Sequence, residues 1–282
     1  MGRITQRRPV TRVVGAVTAA GSDTLVVEEP LEIRIGGQPL AVTMRTPGHD
    51  MDLAAGFLVS EGLVVTREDL RSLTYCVGPG QDNQYNVLDA RLAHAGATAA
   101  SSVRRALTTS SSCGLCGKGQ IEQIRTALPH DLRVDATVVD ADLVAALPAR
   151  LRAGQDVFER TGGLHAAGLF DARTGALLVL REDVGRHNAV DKVIGWALRE
   201  GRLPLRATVL LVSGRASFEL VQKAAVAGIP VLAAVSAASS LAVDLATDTG
   251  LTLIGFVRDE RMVVYSGADR LVFAPVVASV GA

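Results

Sequence analysis

The sequence predicts a layered α/β protein that carries a smaller N-terminal α+β subdomain. Three observations predict it. The second half alternates short apolar runs with stretches of helical spacing, as a sheet covered by helices requires. The first half sets strand-like runs about the turn Gly36-Gly37, ahead of one helical stretch. With 282 residues, 48% hydrophobic and 21% charged, the chain can bury more core than a single small domain needs, which excludes disorder and collagen-like repetition. No internal repeat occurs, and the only low-complexity stretch is the small-residue run Ala95 to Ser102. That run marks the expected division into residues 1–107, the N-terminal α+β subdomain, and residues 108–282, a cysteine-bearing loop followed by the larger α/β domain.

Arg3, Arg7, Arg8 and Arg12 open the chain without the apolar run of a secretory signal, so the start reads as a frayed, solvated arm. Thr24 to Val27 and Leu31 to Ile35 read as strands, Gly36-Gly37 as a turn and Leu40 to Met44 as the returning strand. Asp50 to Glu61 follows as a helix, because Leu53, Ala54, Phe57 and Leu58 line one face and Gly62 supplies a stop. Asn86 to Leu92 is a further strand. In the second half the strands Ala166 to Phe170 and Leu177 to Leu180 precede a helix from about Ala189 to Glu200, with Asn188 as its candidate N-cap. Strand Ala207 to Val212, helix Phe218 to Ala227, strand Val231 to Val235, helix Leu241 to Ala246 and strand Leu251 to Val257 complete the alternation, and Met262 to Ser266 pairs back. Ala224 to Val243 is free of charge for 20 residues, about the length of a membrane span. The Gly228-Ile229-Pro230 break and Ser236, Ser239 and Ser240 divide it into a helix end, a buried strand and a helix start, so no span is expected.

Lysine plus arginine equals aspartate plus glutamate at 29 each, so no basic excess points to nucleic acid, and any polyanion must be held locally. Three cysteines are too few and odd in number for a disulfide framework, and the pair Cys113 and Cys116 fits a reducing, cytoplasmic setting. The pair lies in TTSSSCGLCGKGQ, Thr108 to Gln120, just ahead of the helical spacing Ile121, Ile124, Leu128. A helix start and Lys118 favour a thiolate, and Gly114, Gly117 and Gly119 suit a mobile tether that collects a group from one partner and carries it to another. Two other readings compete. A zinc knuckle needs four ligands and has no second CxxC here, so His165 and His187 would have to complete it through the fold. A dithiol oxidoreductase opens its helix directly after a strand, whereas a serine-rich loop precedes this pair. Cys76, between Tyr75 and Val77, reads as a buried small apolar residue.

Two strand-to-helix loops have the makings of anion sites. REDVGRHNAVDKVIG, Arg181 to Gly195, offers Arg186, His187 and Lys192 to phosphate oxygens, and Asp183 or Asp191 to a purine edge; an ordinary capped surface loop is the alternative. LLVSGRASFELVQKAA turns through Ser213-Gly214-Arg215 into a helix, and Gly214 lets backbone approach a ligand. Neither GxxxxGK[ST] nor GxGxxG occurs after a strand. GFVRDERMVVYSG sets Phe256, Arg258 and Arg261 on a tight turn between two strands, and TGGLHAAGLF places His165 after two glycines near the same site.

In order along the chain, MRTPGHDMDLAAGFLVSEGL, SSSCGLCGK, TGGLHAA, REDVGRHNAVDKVIG, SGRASFELVQKAA and GIPVLAAVSAASSLAVDLA resemble the formate dehydrogenase accessory sulfurtransferase family, written FdhD or FdhD/NarQ. The resemblance covers most of the chain. It implies a cytidine deaminase-like layered α/β fold for the larger domain and a homodimer. It implies that a cysteine desulfurase passes sulfane sulfur to the loop cysteine. The persulfide then sulfurates the molybdenum of bis(molybdopterin guanine dinucleotide), the substrate bound on behalf of formate dehydrogenase. By the same resemblance the persulfide carrier is Cys113, with Cys116 as the second loop cysteine, and the cofactor-binding turn falls on Phe256, Val257, Arg258, Asp259, Glu260 and Arg261. Deaminase chemistry is not expected, since His165 is followed by Ala166 and Ala167 rather than by the H-x-E pattern, and Ser112 rather than proline precedes Cys113. No tightly held metal, nucleic acid or membrane partner is expected.

Overall fold

The computed structural model describes residues 3–76, 85–93, 128–258 and 260–273. The chain opens on a hairpin of β1 (Thr5–Val14) and β2 (Val17–Val26), paired in register from Thr5 opposite Val26 to Val14 opposite Val17. Arg7, Arg8 and Arg12 are therefore on a paired strand, which corrects the frayed arm. The β-branched residues Val13, Val14, Val17 and Thr18 beside the tip and the left-handed Gly15 at it make the hairpin. Its faces are nevertheless open to solvent, as expected of so basic a stretch.

A four-stranded sheet follows, built from β3 (Glu29–Ile35), β4 (Gln38–Arg45), β5 (Leu70–Tyr75) and β6 (Val87–Leu92) in the order β4-β3-β6-β5. Between β4 and β5 runs α1 (Asp50–Ser60). Leu31 and Ile33 of β3 and Leu88 and Ala90 of β6 point at Leu53, Ala54 and Leu58 of that helix, so one face of the sheet is buried. Strand β5 was not foreseen: Arg71, Ser72 and Thr74 dilute its apolar alternation. Cys76, at its end, is half-buried rather than buried.

The larger unit holds β7 (Val139–Asp140), α2 (Ala141–Ala153), α3 (Asp156–Thr161), β8 (His165–Asp171), β9 (Leu177–Asp183), α4 (Arg186–Arg199), β10 (Thr208–Val212), α5 (Phe218–Val226), β11 (Val231–Ala234), α6 (Ser240–Thr249), β12 (Thr252–Arg258), β13 (Arg261–Ser266) and β14 (Leu271–Val272). Six strands form one mixed sheet in the order β13-β12-β11-β10-β8-β9, in which β10, β11 and β12 run parallel and β8-β9 is an antiparallel hairpin. Along β10, Leu210 and Val212 face the core under α4, α5 and α6, while Val209 and Leu211 face the core under α2. Continuous apolar strands of this kind belong to a sheet covered on both faces. Helix α2 went unread because Pro148 interrupts its spacing, yet Val144, Leu147 and Leu151 still seat it on the sheet. The uncharged run 224–243 is a helix end, strand β11 and a helix start, as expected, and no described helix is long and apolar enough to cross a membrane. The expected boundary at 107/108 lies outside the described residues.

Helix α1 from the first sheet crosses α4 from the second at a pair of glycines. A Cβ on Gly56 would lie 1.8 Å from the Asp191 carbonyl oxygen, and one on Gly195 would lie 1.8 Å from that of Asp52. The two backbones touch, and a single hydrophobic core runs from β3 and β6 through this crossing to β8 and β10.

Candidate functional site

Four aspartates at the crossing are buried, and each has a cationic partner. Asp50 takes a two-pronged ion pair from Arg45, at 3.1 and 3.0 Å, and a hydrogen bond from the Tyr75 hydroxyl at 3.1 Å. Burial beside the Asp50 carboxylate pushes the Tyr75 phenol well above its ordinary range. Asp52 is shared by Arg181, at 2.8 Å, and Arg199. Asp191 accepts from Ser60, at 2.7 Å, and pairs with Lys223 at 2.7 Å. Asp183 pairs with Lys192 at 2.7 Å, the two side chains being 0% and 1% exposed. The Lys192 ammonium also donates to the carbonyls of Thr46, at 3.0 Å, and Glu182, at 3.2 Å.

These partners correct three expectations. Lys192 is sealed among acceptors and cannot meet phosphate, and Asp183 and Asp191 are spent on Lys192 and Lys223 rather than free for a purine edge. Asn188 does not cap α4, which begins at Arg186 with Gly185 as N-cap. Its amide donates to the carbonyl of Met44, at 2.7 Å, and to Asp183, at 3.0 Å. Polar residues of the REDVGRHNAVDK segment thus weld strand β4 to the start of α4, and Arg186 and His187 are left half-buried at the surface.

Those two lie at one end of the large sheet, where strands β9, β10 and β11 each hand over to the N-terminus of α4, α5 or α6. Amides free at such starts favour anions. The loops are stitched to one another. Ser213 exchanges hydrogen bonds with Ala166, next to His165, and the Ala216 amide donates to Ala237 at 3.0 Å. The Phe256 amide donates to Ser236 at 3.1 Å. His165, Arg186, His187, Gly214 and Arg215 therefore share a rim with the start of the β12-β13 hairpin. A Cβ on Gly214 would stand 3.4 Å from the His165 ring, so glycine there keeps the loop close to the histidine. Burial and the charges of Arg186 and His187 hold the His165 imidazole below its ordinary value, that is, neutral near pH 7. His187 Nε2 sits 2.8 Å from Glu219 Oε2 and 3.3 Å from Ser217 Oγ, and the pairing lowers the Glu219 carboxyl.

On the β12-β13 hairpin Arg258 stands opposite Arg261 in the strand register, and Phe256 adopts a left-handed backbone, φ 52°, and is 37% exposed. Val257 is wholly buried in the core under α2 and offers no surface to a ligand. Phe256, Arg258, Glu260 and Arg261 line an open groove of about 720 Å³ against Ala141 and Asp142 at the start of α2. Asp259, Cys113, Cys116 and Lys118 lie outside the described residues. Among the described residues, no group of three or more His, Cys, Asp or Glu side chains is placed to hold a metal.

A sequence model of the FdhD/NarQ family matches residues 26–272. The chain belongs to that family. Family relatives described as sulfur carrier protein FdhD are similar throughout. The one from Nocardia farcinica is 58% identical over 96% of this chain and 96% of its own. The one from Mycolicibacterium paratuberculosis is 56% identical over 95% of this chain and 99% of its own. Among solved structures, a putative formate dehydrogenase accessory protein from Desulfotalea psychrophila superposes with a TM-score of 0.72 at 21% identity, covering 96% of this chain and all of that one. That likeness shows a shared mixed α/β fold. Within this FdhD/NarQ chain, Ser217 and Glu219 escaped the sequence reading. Their one signal is the S-x-E spacing directly after a strand-ending glycine loop, where both side chains face back across the loop.

Proposed function

We propose that this chain is a sulfurtransferase that carries sulfane sulfur as a persulfide on Cys113. The Cys113 thiolate attacks the terminal sulfur of a cysteine desulfurase persulfide. A new S–S bond forms as the donor's breaks, and the donor cysteine leaves as a thiolate. The terminal sulfur then goes to the molybdenum of bis(molybdopterin guanine dinucleotide), bound as substrate in its reduced state: a Mo–S bond forms as the S–S bond breaks, the metal supplies the two electrons that take sulfane sulfur to sulfide, Cys113 leaves as a thiolate, and the sulfurated cofactor passes to formate dehydrogenase. The chain acts as a cytoplasmic homodimer, with Cys116 as the second cysteine of the loop. The observation that carries the reading is the near full-length identity to sulfur carrier proteins, in a chain that has the SSSCGLCGK segment. The hairpin β8-β9 followed by three parallel strands with helices between them supports cytidine deaminase-like layering of the larger domain.

The rim supports a phosphate-bearing substrate. Arg186 Nε is shut off from solvent without a hydrogen-bond partner among the described residues, beside the free amides of α4. Arg215, Arg258 and Arg261 add exposed cations, enough to hold a dinucleotide on a chain with no net charge.

Incubation with a cysteine desulfurase and cysteine is expected to add one sulfur atom to the intact mass, and Cys113→Ala is expected to abolish the gain. Sulfur that persists in that variant overturns the assignment. Stoichiometric zinc with unfolding on chelation would instead favour a zinc-stapled cofactor-binding chaperone. Disulfide turnover lost in Cys116→Ser, with no sulfur loading, would favour a dithiol oxidoreductase. Because both loops belong to one rim, Arg186→Ala and Arg258→Ala are each expected to weaken guanosine diphosphate binding about tenfold, the worth of one charge-assisted hydrogen bond. Titration calorimetry reads this, and an unchanged affinity in Arg258→Ala removes the hairpin from the site.

A further inference from the structure

Glu219 poses a puzzle, because a carboxylate stands on a rim otherwise furnished for anions. Its place explains it. Arg186 precedes His187 on the first turn of α4, and a second positive charge beside that guanidinium is disfavoured. Glu219, from the first turn of α5, reaches His187 Nε2 at 2.8 Å, and Ser217 Oγ stands 3.3 Å from the same nitrogen. With Nε2 committed to the carboxylate, Nδ1 has no partner among the described residues, and the side chain is 33% exposed.

We propose that Glu219 is a positioning residue that fixes His187 as a doubly protonated donor for the pyrophosphate end of the substrate. This rests on the anionic rim argued above. The other charged groups facing the pair are Arg186 on α4, His165 on β8 and Lys223 on α5, with Asp183 at the end of β9 facing His165. Asp183 and Lys223 are already engaged with Lys192 and Asp191, and His165 is held neutral. Glu219 is thus the carboxylate in contact with His187, and an anion at 2.8 Å favours the charged form of the ring beside Arg186.

The probe is diguanosine pyrophosphate, a phosphodiester whose own charge is constant through the histidine range. Binding to the full-length protein is followed from about pH 5.5 to about pH 8.5, which brackets ordinary histidine titration. The wild type is expected to weaken about tenfold across that range, for the loss of one charge-assisted hydrogen bond. In Glu219→Gln the weakening should arrive at lower pH, and in His187→Gln affinity should be low and flat. Nitrogen chemical shifts of the His187 ring should report the same displacement directly. Binding in which Glu219→Gln leaves both the pH profile and the ring titration where they were overturns the role of Glu219. Failure of the wild type to bind the probe at any pH overturns the anionic rim itself, and the proposal with it.

Discussion

Gly56→Ala and Gly195→Ala are each expected to cost about 3 kcal/mol of folding stability, at the upper end for overpacking a well-filled interior. At an exposed helical position the same exchange would stabilise by up to about 1 kcal/mol, because alanine has the better helix propensity. The sign reverses here because the methyl group would meet a backbone carbonyl oxygen of the facing helix at 1.8 Å, and backbone cannot rotate away as a side-chain tip can. Relief demands that α1 and α4 separate, which opens the core shared by the two sheets and stretches the ion pairs of Asp50, Asp52 and Asp191 that span or flank the crossing. Denaturant unfolding reads the loss as a lower midpoint. Since both exchanges force the same separation, the double variant should lose clearly less than twice the single value. Wild-type midpoints in both single variants would show that the helices do not bear on each other as described.

How much of this could be read beforehand follows from which signals are local. Strands β8, β10, β11 and β12 and helices α1, α4 and α5 were legible because their apolar periods are set by the sheet they cover. The glycine crossing was not: Gly56 and Gly195 sit in helical patterns where glycine merely weakens a helix, and their meaning needs the partner 139 positions away. The REDVGRHNAVDK segment shows the opposite error. Residue types alone put charge at a helix start, the common signature of an anion site, but they carry no information on burial. Burial splits the segment, drawing Asp183, Asn188, Asp191 and Lys192 inward and leaving Arg186 and His187 at the rim. On the rim, Gly214 and Arg215 could be picked out because a turn glycine after a buried strand is a local signal, whereas the pairing of Glu219 with His187 joins two helices and left no such trace.

Asp183→Ala is expected to be the most damaging single exchange among these charges, at about 3–5 kcal/mol, and clearly worse than Lys192→Met. The two halves of the ion pair are not equivalent. Removal of Asp183 strands a buried ammonium and, with it, the amides of Thr46 and Gly185 and the side chain of Asn188, all of which donate to that carboxylate. Removal of Lys192 leaves the carboxylate with those three donors and costs only two carbonyl contacts besides the pair. The Coulombic partner is lost either way, so the difference measures the stranded donors. Because Asn188 and Gly185 set the first turn of α4, Asp183→Ala should also weaken guanosine diphosphate binding in molecules that remain folded, while Lys192→Met should bind nearly as the wild type does. Equal destabilisation by the two variants would mean that the ion pair alone matters and that Asp183 does not organise the rim.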